Sequence, residues 1–434
     1  MEFKDQSMKA GALRKSGNFK EAVMEYELLF ENFKDTCNEF DWWGYAQSML
    51  KEDIYQKALE IAEAGLQKYP ESKYLNNVYC WSLYHVAIKP EPVQNEENFM
   101  NAANRIMSAC ALDQKFTPYN ITAFQVIDFL EQNYELNKES IGEWLAKLDI
   151  ASLSASPYKM TLADGKNITI ASEKEKYYMI STKLHFETDK FNECIDQVYE
   201  ALGLQLNFSN NNDSWLRRLK ALSLYKLDKY DEAIAEFKEV LKFKQDWFIK
   251  KELAEVLMEA GKTDEALVRA IDAADDKGSD EMKVKLYMLL SRLFFAKDMK
   301  KEAVLHAKLA LAVREEQGWS ADRDAESMLS ECNLPDEFPE SADSLLEMAT
   351  KCWIAYTEST AERFTGVIKN LLPNGKAGFI TGDDGKGYYF RLQEVTGLKG
   401  TDLQGKRVSF SKETSFDKSK NVDTIVAVNI RPIT

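Results

Sequence analysis

Histidines and cysteines are the side chains best suited to metal or nucleophilic chemistry, but their spacing here fits neither. The three histidines, His85, His185 and His306, are too far apart for the HExxH pattern of a zinc hydrolase. The six cysteines form no CxxC pair, and scattered cysteines in a large chain are typical of reduced thiols in a cytosol. The sequence therefore predicts no metal site and no cofactor.

Phosphate-binding and acyl-transfer motifs are also missing from the sequence. The segments NGKA at 374–377 and DGKN at 164–167 lack the GxxxxGK[ST] frame that cradles phosphate, and no GxSxG elbow occurs. The acid pairs Asp231-Glu232 and Asp264-Glu265 recur at one position of a repeat, where we expect charges at helix N-termini rather than acid–base catalysts. We predict that the protein is not an enzyme.

The composition indicates a mostly helical and acidic chain. Its 434 residues carry 56 Lys/Arg and 71 Asp/Glu, and the net charge of −15 argues against a protein that coats DNA along its length. The 9 prolines and 19 glycines are few, which favours helices. The N-terminus lacks the plan of a signal peptide, and no apolar run approaches the ~18–20 residues that span a bilayer. We expect a cytoplasmic protein without a membrane partner.

A repeat runs through the first three quarters of the chain. Small residues recur at Ala22, Ala58, Ala233, Ala266 and Ala303. In most copies an aromatic residue lies three positions earlier, and a second small residue often lies twelve positions earlier. Small residues at helical spacing let a neighbouring helix approach closely. With anchor spacings of 36, 33 and 37 residues, the pattern resembles the tetratricopeptide repeat, whose period is roughly 34 residues.

This resemblance implies a helical solenoid over residues 1–333, with a groove that binds an extended peptide or a partner helix. The repeat register predicts the groove residues Arg14, Lys183, Arg218, Tyr225, Lys251 and Arg292. Five of them are basic and could hold an acidic peptide or phosphate. The alternative is that they are solvated charges balanced by neighbouring acids, which is the usual state of helix surfaces.

Two segments interrupt or end the helical pattern. Alternating β-forming residues flank Asp164-Gly165, which predicts a β-hairpin insert near 158–171, either purely structural or a docking element. Pro335 and Pro339 then break the helices, and 334–360 is predicted to be a linker followed by a capping helix that carries Trp353.

Residues 361–434 differ from the rest in composition and charge. They hold 12 Lys/Arg and 8 Asp/Glu, net +4, against −19 for residues 1–360, and five β-rich runs separated by turn residues predict a small closed barrel. Four motifs in order, GVIK at 366–369, KAGFI at 376–380, DDGKGYYFRL at 383–392 and LQGKRVSF at 403–410, resemble the cold-shock domain, a five-stranded OB-fold. The fold class is thus an α-helical TPR-like solenoid followed by a cold-shock-like β-barrel.

The cold-shock resemblance implies a single-stranded RNA or DNA site in which bases stack on aromatic side chains beside basic residues. The implied residues are Lys369, Lys376, Phe379, Phe390 and Arg391. Side chains alternate along a strand, so an outward Phe390 would place Arg391 in the core, where an unpaired charge is costly. Alternatively the strand slips or bulges by one residue, and Tyr389 and Arg391 then face the nucleic acid.

Together these observations predict a non-enzymatic cytoplasmic adaptor. Its groove would bind a protein partner, and its barrel would bind single-stranded nucleic acid or a ribonucleoprotein, as in RNA handling, translation control or a bacterial multi-protein system such as phage defence. The alternative is a pure protein-interaction scaffold in which the barrel has been repurposed to bind protein.

Overall fold

The computed structural model describes residues 2–110, 115–162, 164–335, 337–360, 362–373, 375–396, 403–417 and 422–433. The chain divides into two compact units. The first unit comprises Met1–Thr188 with Leu204–Ser209, and the second comprises Asp189–Gly203 with Asn210–Thr434.

Helices dominate both units. A π-helical turn, Tyr84–Ile88, extends the fifth helix. The α-helices are α1 (Phe3–Lys15), α2 (Phe19–Phe33), α3 (Glu39–Lys51), α4 (Tyr55–Lys68), α5 (Lys73–Leu83), α6 (Glu96–Ala109), α7 (Tyr119–Glu131), α8 (Tyr134–Leu145), α9 (Glu173–Glu187), α10 (Phe191–Gly203), α11 (Asn212–Lys226), α12 (Tyr230–Leu241), α13 (Trp247–Glu259), α14 (Thr263–Asp275), α15 (Asp280–Ala296), α16 (Lys300–Glu316), α17 (Arg323–Cys332) and α18 (Ala342–Thr360). None of the described helices is long and apolar enough to cross a membrane.

The small anchor residues of the repeat lie where consecutive helices touch. Each of Ala10, Ala22, Ala221, Ala233 and Ala303 is fully buried. The two anchors of the last hairpin also bond directly, because Ser291 Oγ of α15 donates to the Ala303 carbonyl of α16 at 2.8 Å. The predicted repeat of paired helices is therefore present, and its small residues set the close approach within each pair.

The turns that join the helices of a pair share one backbone conformation. The residue two positions before the second helix has a left-handed φ, between 58° and 83°, whether it is glycine or aspartate. This residue is Gly17, Asp53, Asp189, Asp228, Gly261 or Asp298. Aspartate tolerates this region better than most residues, and at two of the turns its carboxylate accepts a hydrogen bond from a tyrosine two positions later.

A buried histidine joins the capping helix to the last helix pair. His306 of α16 is fully buried, its Nδ1–H donates to the Glu302 carbonyl at 2.7 Å, and its Nε2 accepts from the Trp353 indole of α18 at 2.7 Å. Both ring nitrogens are thus used by a neutral imidazole. Burial lowers the pKa of His306 to about 4 from its usual 6.5.

The predicted hairpin insert is confirmed in the first unit. Strands β1 (Tyr158–Thr161) and β2 (Asn167–Ile170) pair antiparallel, with Tyr158 opposite Ile170. Residue 163 of the connecting turn lies outside the described residues.

Five further strands form one closed sheet in the second unit. They are β3 (Phe364–Leu371), β4 (Ala377–Gly382), β5 (Gly387–Arg391), β6 (Arg407–Asp417) and β7 (Val422–Pro432). Their order is β3-β4-β5-β7-β6, and the sheet closes because β3 also pairs with β6. All pairs are antiparallel except β5 with β7.

The β6–β7 hairpin packs against the helices of its own unit. The Phe416 ring meets the Phe243 ring edge to face with centroids 5.3 Å apart, and Lys242 Nζ lies 3.6 Å from Asp423. A second ion pair joins Arg431 of β7 to Glu358 of α18. Among the described residues, these contacts to the helices are made by β6 and β7.

The His306 contact makes the stability of the second unit depend on pH. Between pH 6.5 and about 4 the unfolded chain takes up a proton that the folded chain does not bind, so the free energy of unfolding falls as the pH is lowered, by up to ~1.4 kcal/mol per pH unit. His306→Gln, which does not titrate, should lose this part of the dependence. Urea unfolding of the two proteins at pH 7 and pH 5 measures it.

The matched control is His185→Gln, which removes a histidine from the other unit and should retain the dependence of the parent protein. An unchanged pH dependence in His306→Gln would contradict the assignment.

Candidate nucleic-acid interface

The outer surface of β4 and β5 carries the aromatic residues of the candidate site. On β4 Phe379 and Thr381 point outward, and Phe379 is 37% exposed. On β5 the inward residues are Tyr388 and Phe390, so Tyr389 and Arg391 point outward. Phe379 lies opposite Tyr389 in the register of the two strands.

Phe390 does not belong to this surface, and the prediction that it stacks on bases is wrong. The side chain is fully buried in the core of the closed sheet, together with Phe410 and Ile430. Gly378 makes room for it, since a Cβ there would lie 2.8 Å from the Phe390 ring and 2.5 Å from the Asn370 carbonyl.

The alternative register, in which Tyr389 and Arg391 face outward, is the one that the structure has. The irregularity lies in β3 rather than in β5, because the pairing of β3 with β4 shifts between Ile368 and Asn370. This bulge leaves both Lys369 and Asn370 exposed at the edge of the aromatic surface. The conflict over a buried arginine is thereby removed, since Arg391 is exposed.

The two outward rings are arranged as a compact platform. The ring centroids of Phe379 and Tyr389 lie 5.8 Å apart with their planes at 71°. Among the described residues neither Lys369 nor Arg391 has an ion-pair partner, and the exposed Lys376 lies beside the end of β5, where its carbonyl accepts from the Leu392 N–H at 2.9 Å. Outward rings beside such cations can stack on a base and contact a phosphate.

Other cations of the sheet are already neutralised by carboxylates. Lys412 Nζ lies 2.8 Å from Asp384 and 3.8 Å above the Phe364 ring, and Arg407 pairs with Asp383 at 2.7 Å. The hydrogen bond from Lys412 holds the pKa of Asp384 well below its usual value, with a further contribution from the Tyr388 hydroxyl. These two cations brace the sheet and are neutralised there, in contrast to Lys369 and Arg391 beside the aromatic rings.

Three of the six predicted groove residues of the helical part are paired with acids. Arg218 forms a two-pronged ion pair with Glu252, and Lys251 Nζ lies 2.6 Å from Glu255. Arg292 is exposed. Burial raises the pKa of Tyr225, and the positive charge of Arg292 partly offsets this rise.

The two remaining groove residues belong to the first unit. Lys183 Nζ lies 3.8 Å from Glu131 and 3.7 Å above the Tyr134 ring, while Arg14 stacks on Trp43 at 4.1 Å. Four of the five basic groove residues thus contact an acid or an aromatic ring, which supports the alternative of balanced charges. Their role in partner binding remains a prediction.

The family resemblance selected Phe390 rather than Tyr389 as the outward ring of β5, although the sequence contains a signal that identifies Tyr389. The run Gly387-Tyr388-Tyr389-Phe390-Arg391 has one charged residue, and that charge must be outside. Counting back by two from Arg391 gives Tyr389.

Comparisons with known proteins find helical repeat proteins of similar structure. A domain of unknown function, DUF7017, matches residues 214–347, and a search of curated proteins finds no match. A TPR protein of the thermophile Thermus thermophilus is similar in structure at 13% identity and TM-score 0.22, covering 67% of this chain and 99% of its own.

Two further solved structures are similar at comparable identity. The human IFIT1 dimer with PPP-AAAA has 16% identity and TM-score 0.37, with 81% of this chain and 80% of that one covered. The TPR2AB domain of yeast Sti1 in complex with pHSP90 has 13% identity and TM-score 0.27, with 76% and 98% covered.

The burial difference between the aromatic residues predicts different effects on stability. Phe390→Ala should destabilise the closed sheet by ~3–5 kcal/mol, because it empties a filled core position. Phe379→Ala should change stability by less than ~0.5 kcal/mol, as surface substitutions usually do. Hydrogen exchange of the β4 and β5 amides reports on this sheet separately from the helices. Equal exchange rates in the two variants would contradict the register.

Proposed function

We propose that the protein is a non-enzymatic cytoplasmic adaptor. Its helical part binds a protein partner, and its closed sheet is a cold-shock-like OB-fold that binds single-stranded RNA or DNA, or a ribonucleoprotein. The plan suits RNA handling, translation control or a subunit of a bacterial multi-protein system such as phage defence.

The observation that carries the proposal is the outward pair of Phe379 and Tyr389. The rings face outward on adjacent strands, with Lys369 and Arg391 nearby and without carboxylate partners among the described residues. A domain that served only as a rigid spacer would have no use for solvent-facing rings between unpaired cations. The four cold-shock-like motifs in the sequence support the same reading.

Stacking rather than charge should supply most of the affinity. Residues 361–434 carry only +4, and the whole chain carries −15. Each stacked base contributes ~1–3 kcal/mol in single-strand binding proteins. With two rings and few cations, we expect modest affinity and a shallow dependence on salt.

The test is fluorescence anisotropy of the full chain with a labelled single-stranded oligonucleotide, at ~50 and ~200 mM salt. Phe379→Ala combined with Tyr389→Ala should weaken binding at least ~tenfold, because both stacking surfaces are removed. Ile425→Ala, at an exposed apolar position of the same sheet, is the matched control and should bind like the parent protein.

Absence of binding by the parent protein at the lower salt would refute the nucleic-acid part of the proposal. The second candidate, a pure protein-interaction scaffold, is favoured by the negative net charge and by the ion-paired cations of the helical part. It predicts that the sheet captures a protein through the same two rings.

A further inference from the structure

Three aromatic side chains form an exposed surface on two helices of the first unit. They are Phe40 and Trp43 of α3 and Tyr74 of α5, which we call the aromatic shelf. The ring centroids lie 5.2 Å apart for Trp43 and Tyr74, 5.9 Å for Phe40 and Tyr74, and 6.5 Å for Phe40 and Trp43. Phe40 is 58% exposed and Tyr74 is 53% exposed. Contiguous exposed rings of this kind are rare on monomers and mark interaction sites.

The arrangement of the rings excludes a cage for a cation. The three rings pack against one another, so no space for an ammonium group remains between them. One end of the shelf is closed by Arg14, whose guanidinium lies 4.1 Å from the Trp43 ring and donates to Gln47 Oε1 at 2.9 Å. The shelf is therefore a continuous apolar surface with a polar border.

Hydrogen-bond donors at this border are available to a ligand. Within the described part of the chain, neither the Trp43 indole N–H nor the Tyr74 hydroxyl has a hydrogen-bond partner, and Gln47 uses only its carbonyl oxygen. A bound helix satisfies its own carbonyls, whereas a polyproline II segment has none of its carbonyls bonded internally. Aromatic rings with free donors match such a segment.

The net charge of the first unit indicates the charge of the peptide segment that it would bind. Residues 1–188 hold 20 Lys/Arg and 28 Asp/Glu, net −8, and the second part of this unit, Leu204–Ser209, adds none. Arg14 lies at the border of the shelf, but the unit as a whole repels a polyanion and attracts a cation. This favours a basic peptide over a nucleic acid.

We infer that the aromatic shelf binds a proline-rich peptide segment of net positive charge in the polyproline II conformation. The inference rests on the proposed function, because it names the chemistry of the protein partner that the helical part binds. Prolines lie on Phe40, Trp43 and Tyr74, and the peptide carbonyls accept from the free donors of Trp43, Tyr74 and Gln47.

The test uses the full chain and a fluorescein-labelled peptide of about eight prolines flanked by lysines, long enough at ~3.1 Å per residue to cross the shelf. The comparison peptide replaces the prolines with glycine and serine at equal length and charge. We expect the proline peptide to bind and the glycine–serine peptide to bind at least ~tenfold more weakly, because only the former is preorganised.

Phe40→Ala combined with Tyr74→Ala should weaken binding of the proline peptide at least ~tenfold. Met24→Ala combined with Leu28→Ala is the matched control, since these two apolar side chains are exposed on α2, and it should change binding by less than ~twofold. Both double variants replace exposed side chains, and circular dichroism verifies that they are folded.

No binding to the parent protein, equal binding of the two peptides, or an unaffected shelf variant would each overturn the inference. So would a labelled oligonucleotide that loses affinity through Phe40→Ala and Tyr74→Ala, which would make the shelf a nucleic-acid surface. The variant with Phe379→Ala and Tyr389→Ala separates the two hypotheses. It should bind the peptide normally even where oligonucleotide binding by the closed sheet fails.

Discussion

Close contact between paired helices at small residues is the interaction on which the helical part depends. Ala10, Ala22, Ala221 and Ala233 have no exposed surface, and a larger side chain at any of them would push two helices apart. Because the second helix of each pair is held at this distance, the first helices can present their other face to solvent. The pair of α3 and α4 has the fully buried anchors Ala46 and Ala58, and α3 carries Phe40 and Trp43 of the aromatic shelf.

The sequence predicts the helical part well, because the buried small residues recur at nearly constant spacing along the chain. The hairpin at Tyr158–Thr161 and Asn167–Ile170 was equally visible, since alternation and an Asp-Gly turn are both local signals. The turn aspartates were harder to interpret. Asp228 and Asp298 look like departures from a glycine position, yet they hold the same left-handed backbone as Gly17 and Gly261.

The closed sheet shows where a family resemblance is insufficient. The strands and the order of their motifs follow from the sequence, but the resemblance placed Phe390 on the wrong face, and its ring fills the space beside Gly378. The family resemblance assigned Phe390 to the surface. The cost of burying Arg391 instead favours an outward Arg391 and therefore an inward Phe390. The prediction from charge burial was correct, because burying an unpaired charge costs free energy in any protein, whatever family it resembles.

Charge pairing explains why the proposed binding surfaces are aromatic rather than basic. In the helical part the acids outnumber the bases, so cations such as Arg218 and Lys251 find a carboxylate within reach and are neutralised in place. On the sheet, Lys412 and Arg407 are neutralised in the same way. Stacking on a ring does not depend on net charge, so the binding proposed for Phe379 and Tyr389 would be weakened less by an acidic protein than binding by a lysine patch. The same reasoning separates the two aromatic surfaces by their borders. Lys369 and Arg391 beside Phe379 suit a phosphate backbone, whereas beside Trp43 the cation Arg14 is accompanied by the uncharged donors of Gln47 and Tyr74, which suit peptide carbonyls.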